Sequence, residues 1–113
     1  MIEVLNLGYI DYHDGLKIQE EFIKSVTLKK CKGYLLLCQH PTVITLGRNS
    51  SESHIKVDKE TLSRNGIKVV EIKRGGDVTL HNPGQLVGYP IFNLHYFKLD
   101  LHWFLREIEN CII

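Results

Sequence analysis

RGGDVTLHNPGQLVGYP, residues Arg74 to Pro90, is the stretch from which the rest of the chain can be read. Two glycine signals, Gly75-Gly76 and Asn82-Pro83-Gly84, bracket a short β segment at Val78–Leu80. Leu86–Leu94 then continues as an apolar, β-rich run. Pro90 inside that run predicts an edge strand or a bulge, because proline has no N–H to give to a ladder. Adjacent glycines lack Cβ atoms, so the backbone can turn sharply and come close to a ligand. Their N–H groups can then point at an oxygen or oxyanion. Arg74 offers a planar donor fork for a carboxylate or phosphate. His81 is a candidate for binding or proton transfer, since its ordinary pKa is about 6.5. Thr79 and Gln85 add uncharged hydrogen-bonding groups. The plainer alternative is a hairpin turn followed by an ordinary strand. Against it, the polar groups follow directly on a β run, Ile67–Ile72, and strand ends are where binding sites are commonly built.

Working outward toward the N-terminus, Asn65-Gly66 supplies a left-handed stop for a short helix, Lys59–Arg64, which Asp58 can cap. Arg48–Ser53 is polar and loop-like. Val43–Leu46 is a short strand ended by Gly47. Tyr34–Cys38 is a continuous apolar run that predicts a strand buried on both faces. Leu16, Ile18, Phe22, Ile23 and Val26 give one helical face, with Asp14-Gly15 read as punctuation before it. Met1–Gly8 alternates weakly and fits an edge strand. Toward the C-terminus, Asp100 can cap a final helix whose apolar stripe is Leu101, Phe104, Leu105, Ile108, Cys111 and Ile112. The amphipathic pattern is still running at Ile113, and the expectation is that the sequence is cut inside a helix. Helix, strands, short helix, strands, helix is the order of a mixed α/β domain with a largely β centre.

The bulk composition excludes several classes. With 113 residues the chain holds one small domain. Hydrophobic residues at 43% and charged residues at 24% support a folded core. Fourteen basic and 13 acidic residues give a net charge of +1, no footprint for nucleic acid or an anionic membrane. The longest basic cluster, Lys29-Lys30 with Lys32, falls at a helix end, where cations complement the dipole. Cys31, Cys38 and Cys111 have neither CxxC spacing nor an even count, and each is expected to pack rather than react. MIEVLNLGYIDYHDG does not have the form of a signal peptide, and no run reaches transmembrane length. A reducing cytoplasm is the expected compartment. No histidine pair has convincing metal-ligand spacing, so neither a metal nor a cofactor is expected. His13, His54, His95 and His102 fall in loops or at element ends, His40 in a structural position. Arg48 is open between a surface ion pair and an approach to a binding-site mouth.

Taken whole, Arg74–Pro90 resembles the signature of the lipoate-protein ligase B family, the octanoyl-[acyl-carrier-protein]:protein octanoyltransferases. That signature runs close to RGG-x-[VT]-T-Y-H-G-P-G-Q-L-V-G-Y-P. CQHPTVITLGR, Cys38 to Arg48, resembles the family's E-H-P-P-V-Y-T-L-G-R. GIKVVEIKRGG, Gly66 to Gly76, has the family's spacing into the glycine loop, and DLHWFLREIEN, Asp100 to Asn110, resembles a family helix. Leu80 stands where tyrosine is usual and Asn82 where glycine is usual. Asn can adopt positive φ, so the turn at Asn82 can survive.

The resemblance implies the α/β catalytic-domain fold shared by biotin and lipoate ligases, with residues 1–113 as the N-terminal portion of one such domain. It implies transfer of an octanoyl group from acyl carrier protein to a lysine of lipoyl domains, in 2-oxoacid dehydrogenases and the glycine cleavage H protein. It further implies a cysteine acyl-enzyme and a lysine that lowers the cysteine pKa. The family's P-C-G and K-I-A-x-I-G contexts for those two residues do not occur here and are expected downstream of Ile113. Arg74, Gly75, Gly76, Asp77, Val78, Thr79, Leu80 and His81 would line the acyl-substrate pocket. Two other readings stay open. One is an ATP-dependent lipoate or biotin ligase on the same fold. The other is an inactive fragment or split half that binds acyl carrier protein.

Overall fold

A computed structural model describes residues 2–29, 31–51 and 54–112. Lys30 of the basic cluster, Glu52 and Ser53 of the polar loop, and Met1 and Ile113 lie outside them. The elements run β1 (Ile2–Tyr9), α1 (Tyr12–Lys29), β2 (Gly33–Gln39), β3 (Val43–Leu46), α2 (Lys59–Arg64), β4 (Lys68–Glu71), β5 (Val78–His81), β6 (Val87–Phe92) and α3 (Leu101–Ile112), with a 3-10 turn at Leu94–Tyr96. They form two three-stranded mixed sheets, ordered β1-β2-β6 and β4-β3-β5. This is the expected mixed α/β architecture.

Each sheet repeats one plan. Two parallel strands are joined through a helix, and an antiparallel third strand completes the sheet. The two central strands, β2 and β3, are consecutive in the chain. Only residues 40–42 join them, so this short link lies where the two sheets meet. It carries a residue with no exposed surface, His40, and is followed by the fully covered β3. The core holds Leu36, Cys38, Val43, Ile44, Leu46 and Leu62, with Tyr12 and Val26 from α1. Central placement explains why β2 and β3 are the two strands written as continuous apolar runs.

α1 begins four residues earlier than the apolar periodicity indicates. Asp11 Oδ2 accepts the N–H of His13 at 3.1 Å and caps the helix. Gly15 is therefore inside α1, not ahead of it. A Cβ there would stand 3.1 Å from His40 Cε1, so this glycine serves close approach instead of a turn. Asp58 caps α2 as expected, accepting from Thr61 N at 2.8 Å. This hydrogen bond holds the carboxyl below its usual pKa. Pro90 lies in β6 opposite Leu35, and β6 is an edge strand, which is where a ladder tolerates proline.

α3 departs from expectation. Asp100 does cap it, accepting from Trp103 N at 3.1 Å, and Phe104 packs against Phe92 at a ring separation of 5.4 Å. Cys111, however, is exposed instead of packed, as are Leu101, Leu105 and Ile112. The helix touches the rest of the fold along too narrow a face to cover the whole stripe. The chain is correspondingly elongated, 47 × 27 × 27 Å, with a radius of gyration of 15.7 Å. A compact chain of this length would have about 13 Å. No helix among the described residues is long and apolar enough to cross a membrane.

Candidate functional site

The eight residues from Arg74 to His81 divide between two local structures at opposite ends of β5. At the first end, the Arg74–Asp77 loop closes on the turn after β3. Gly47 N donates to Asp77 O (3.1 Å), Arg48 N to Arg74 O (2.9 Å) and Asn49 N to Gly76 O (3.2 Å). The loop thus spends its carbonyls on the turn. Among the described residues, the N–H groups of Gly75 and Gly76 have no partner. Gly76 sits at φ +87°, a conformation that disfavours any side chain.

Arg74 does not extend toward solvent. Its Nη2 donates to Thr45 Oγ1 (2.8 Å) and Thr45 O (3.1 Å), and its Nη1 donates to Gly75 O (2.9 Å). Thr45 is a fully buried polar residue in the middle of β3. The fork that the sequence offers to a ligand is therefore used to anchor its own loop to the core. Asp77 is held from outside the loop, by His54 Nδ1 at 2.7 Å. Arg48 is exposed and donates to Lys73 O (3.1 Å), so it braces the chain entering the loop. Gly75, Gly76 and Asp77 themselves are exposed, and the loop forms an open wall instead of an enclosed cleft.

At the other end of β5, His81 enters a polar aromatic cluster. Its ring stacks on Tyr12 at 5.8 Å and 24°, and lies edge to face with His40 at 5.5 Å. His40 Nδ1 is 2.9 Å from Ile10 O, and a carbonyl only accepts, so Nδ1 carries a proton. In the neutral ring, Nε2 then accepts from the Tyr89 hydroxyl at 2.8 Å. Burial raises the pKa of Tyr89 far above that of a free phenol, which keeps it a donor. Burial also raises Tyr12, with Arg74 opposing. His81 is pushed below its usual pKa, first by burial and then by His40, so it is neutral at pH 7. Its Nδ1 is buried with no hydrogen-bond partner among the described residues.

Val78 and Thr79 are half-buried between these ends, and Leu80 is 47% exposed. The departure at Asn82 has a local explanation. Asn82-Pro83-Gly84-Gln85 is a turn closed by Gln85 N to Asn82 O (3.1 Å), with Gly84 at φ +87°. Proline followed by a positive-φ glycine is the type II arrangement. Asn82 occupies its first position, and its Oδ1 accepts from Thr42 Oγ1 (3.0 Å). Gln39 Oε1 accepts from Gly84 N (2.8 Å), so the end of β2 and the β2–β3 link both hold this turn.

Tyr12, Thr45 and Tyr89 are site residues that the sequence did not announce. Thr45 was the legible one, a hydroxyl inside a fully apolar strand. Cys38 lies 3.6 Å from His40 Nε2, but it is 1% exposed and burial raises its thiol pKa, which is unsuited to a nucleophile. A separate open groove of about 880 Å³ lies between α1, β6 and α3, lined by Ile23, Val26, Ile91, Phe92 and Phe104 among others.

The lipoyl protein ligase A/B catalytic domain family matches residues 11–113. An octanoyltransferase of Caldicellulosiruptor bescii is 46% identical over 112 residues, covering 99% of this chain and 49% of that protein. One of Koribacter versatilis is 42% identical over 115 residues, covering 100% of this chain and 46% of that protein. The chain thus spans about half the length of these relatives. Among solved structures, P. falciparum LipL1 in complex with lipoate superposes with a TM-score of 0.57 at 18% identity, covering 76% of this chain and 29% of that one. T. acidophilum Ta0514 with bound lipoic acid gives 0.55 at 21% identity, covering 74% and 34%. At these identities the structural likeness establishes the fold.

Proposed function

The chain belongs to the lipoyl protein ligase A/B catalytic domain family, and from that premise we propose that it forms the acyl-binding part of an octanoyltransferase of lipoate biosynthesis. The observation that carries the proposal is the Arg74–Gly76 loop. Its carbonyls and its arginine are consumed internally, while among the described residues two glycine N–H groups stay unpaired. Fixed, unpaired amide donors suit the carbonyl oxygen of a thioester and the oxyanion it becomes. Val78, Thr79, Leu80 and His81 continue the wall along which an eight-carbon chain can lie. Its burial contributes at most about 0.8 kcal/mol per methylene.

The donor is octanoyl-acyl carrier protein and the acceptor a lysine of a lipoyl domain or of the glycine cleavage H protein. A cysteine thiolate attacks the thioester carbonyl, forms a new carbon–sulfur bond and expels the carrier thiolate, which takes up a proton. The lysine amine then attacks the acyl-enzyme, forms the amide and releases the cysteine. None of Cys31, Cys38 and Cys111 lies on the loop or on β5. We therefore assign the nucleophile, and the lysine that acidifies it, to sequence outside residues 1–113. On this reading residues 1–113 are one part of a single catalytic domain.

The test uses the chain alone and mixed with the C-terminal half of the C. bescii relative. Neither half is expected to move octanoate from acyl carrier protein to a lipoyl domain, and the mixture is expected to do so without ATP. Transfer by the chain alone would refute the assignment of the nucleophile. A strict requirement for ATP would favour a ligase. A mixture that binds carrier protein without transferring would favour an inactive binding half.

A further inference from the structure

We infer that His40 is a positioning residue for the acyl-binding wall: it packs on Tyr12 and His81 and holds the Tyr89 hydroxyl, and so fixes the His81 ring at the end of β5. What that wall binds rests on the octanoyltransferase reading; the placement of the ring rests on geometry alone.

His40 is fully buried, so it does not touch a substrate. It stands in the link between the central strands of the two sheets, and each of its nitrogens is committed. Nδ1 holds the carbonyl of Ile10, just ahead of α1, and Nε2 holds the hydroxyl of Tyr89 on β6. Its ring is also edge-on to Tyr12 at 5.2 Å and to His81 at 5.5 Å. One side chain therefore fixes positions from α1, β6 and β5 at once. An apolar side chain would fill the same space but leave the Ile10 carbonyl and the Tyr89 hydroxyl without their partner. Directed hydrogen bonds between buried groups specify one arrangement where apolar packing would permit several. Gly15 fits this role, since its missing Cβ makes room for the imidazole.

The groups facing His81 are Tyr12 from α1, His40 from the link, Arg74 from the glycine loop and Gln85 from the following turn. Arg74 and Gln85 lie on segments flanking β5 itself. Only Tyr12 and His40 come from the β1–β2–β6 side of the molecule, and Tyr12 is itself set by His40. The orientation of His81 relative to that sheet thus runs through His40.

The experiment is an NMR titration of the His81 ring in the wild-type chain, His40→Asn and Tyr89→Phe, with circular dichroism to verify the fold. Asparagine retains a donor for the Ile10 carbonyl but loses the ring and the acceptor for Tyr89. Tyr89→Phe removes one hydroxyl and leaves the imidazole. In His40→Asn, His81 is expected to titrate higher, because the ring whose packing desolvates it is removed. The affinity for octanoyl-pantetheine is expected to fall about fivefold or more. Tyr89→Phe should move His81 the same way by less, and it decides the matter if His40→Asn does not fold. A wild-type His81 titration in the folded variants would overturn the inference and leave His40 as filling. If His81 shifts but even the wild-type chain binds no octanoyl-pantetheine, the positioning role stands and the octanoyl reading fails.

Discussion

Replacing Gly47 with alanine is expected to detach the paired-glycine loop from β3, destabilising the fold by about 2–3 kcal/mol and abolishing measurable octanoyl-pantetheine binding. A Cβ at this position would run into the carbonyl oxygen of Gly76, with Gly75 O at 2.9 Å and Arg74 Nη1 at 2.7 Å. Two of these three atoms belong to backbone and cannot swing aside. The loop must move outward, and three hydrogen bonds between it and the turn stretch with it. The outward shift also pulls Arg74 from Thr45, whose hydroxyl is then buried without its donor, itself worth about 1–3 kcal/mol. Urea denaturation reports the stability change and a binding titration the loss of the site. Unchanged binding in a folded Gly47→Ala chain would mean that the loop is not the acyl wall.

Gly33→Ala is expected to be more destructive to the fold than to any one site. Gly33 opens β2 at φ +148°, and a Cβ there would meet Ile91 O and, at 2.7 Å, Phe92 Cα. Both atoms are β6 backbone, so relief requires the two strands to separate. Positive-φ strain and the clash add to about 3–5 kcal/mol. Against a typical domain stability of about 5–15 kcal/mol, that is enough to depopulate the native state. Gly88→Ala is the control in the same strand pair. Its Cβ would make ordinary contacts with Leu37 Cδ2 at 3.6 Å and Leu35 Cδ1 at 3.7 Å. Thermal melts should show Gly33→Ala largely unfolded and Gly88→Ala within a few degrees of wild type.

The contrast between these glycines marks the limit of what the sequence discloses. The strands Val43–Leu46 and Val78–Leu80, and the α2 cap at Asp58, were legible because their signals are local: apolar runs between breakers, and a cap three residues from its partner. Gly15 misled because a glycine that makes room for a neighbour looks the same as one that makes a turn. The neighbour is His40, far away in sequence. Arg74 was legible as a residue that matters but not in its direction. Its partner is Thr45, 29 residues earlier, and only the closing of the loop on β3 brings them together. The His40–Tyr89 bond spans 49 residues and joins two elements with no shared periodicity. Cys111 shows the opposite error. Its helical stripe is real, but an amphipathic pattern says which face is apolar and not whether anything covers it.

The family match, the loop and the cluster meet in one claim, that Gly75 and Gly76 present their amides to the carbonyl of an octanoyl thioester. Recording the amide resonances of the ¹⁵N-labelled chain during titration with octanoyl-pantetheine tests it most directly. The account predicts saturable shifts at Gly75 and Gly76, accompanied by His81, with the same resonances still in an Arg74→Ala chain. Saturable binding that moves residues lining the α1–β6–α3 groove and leaves both glycine amides in place would contradict it.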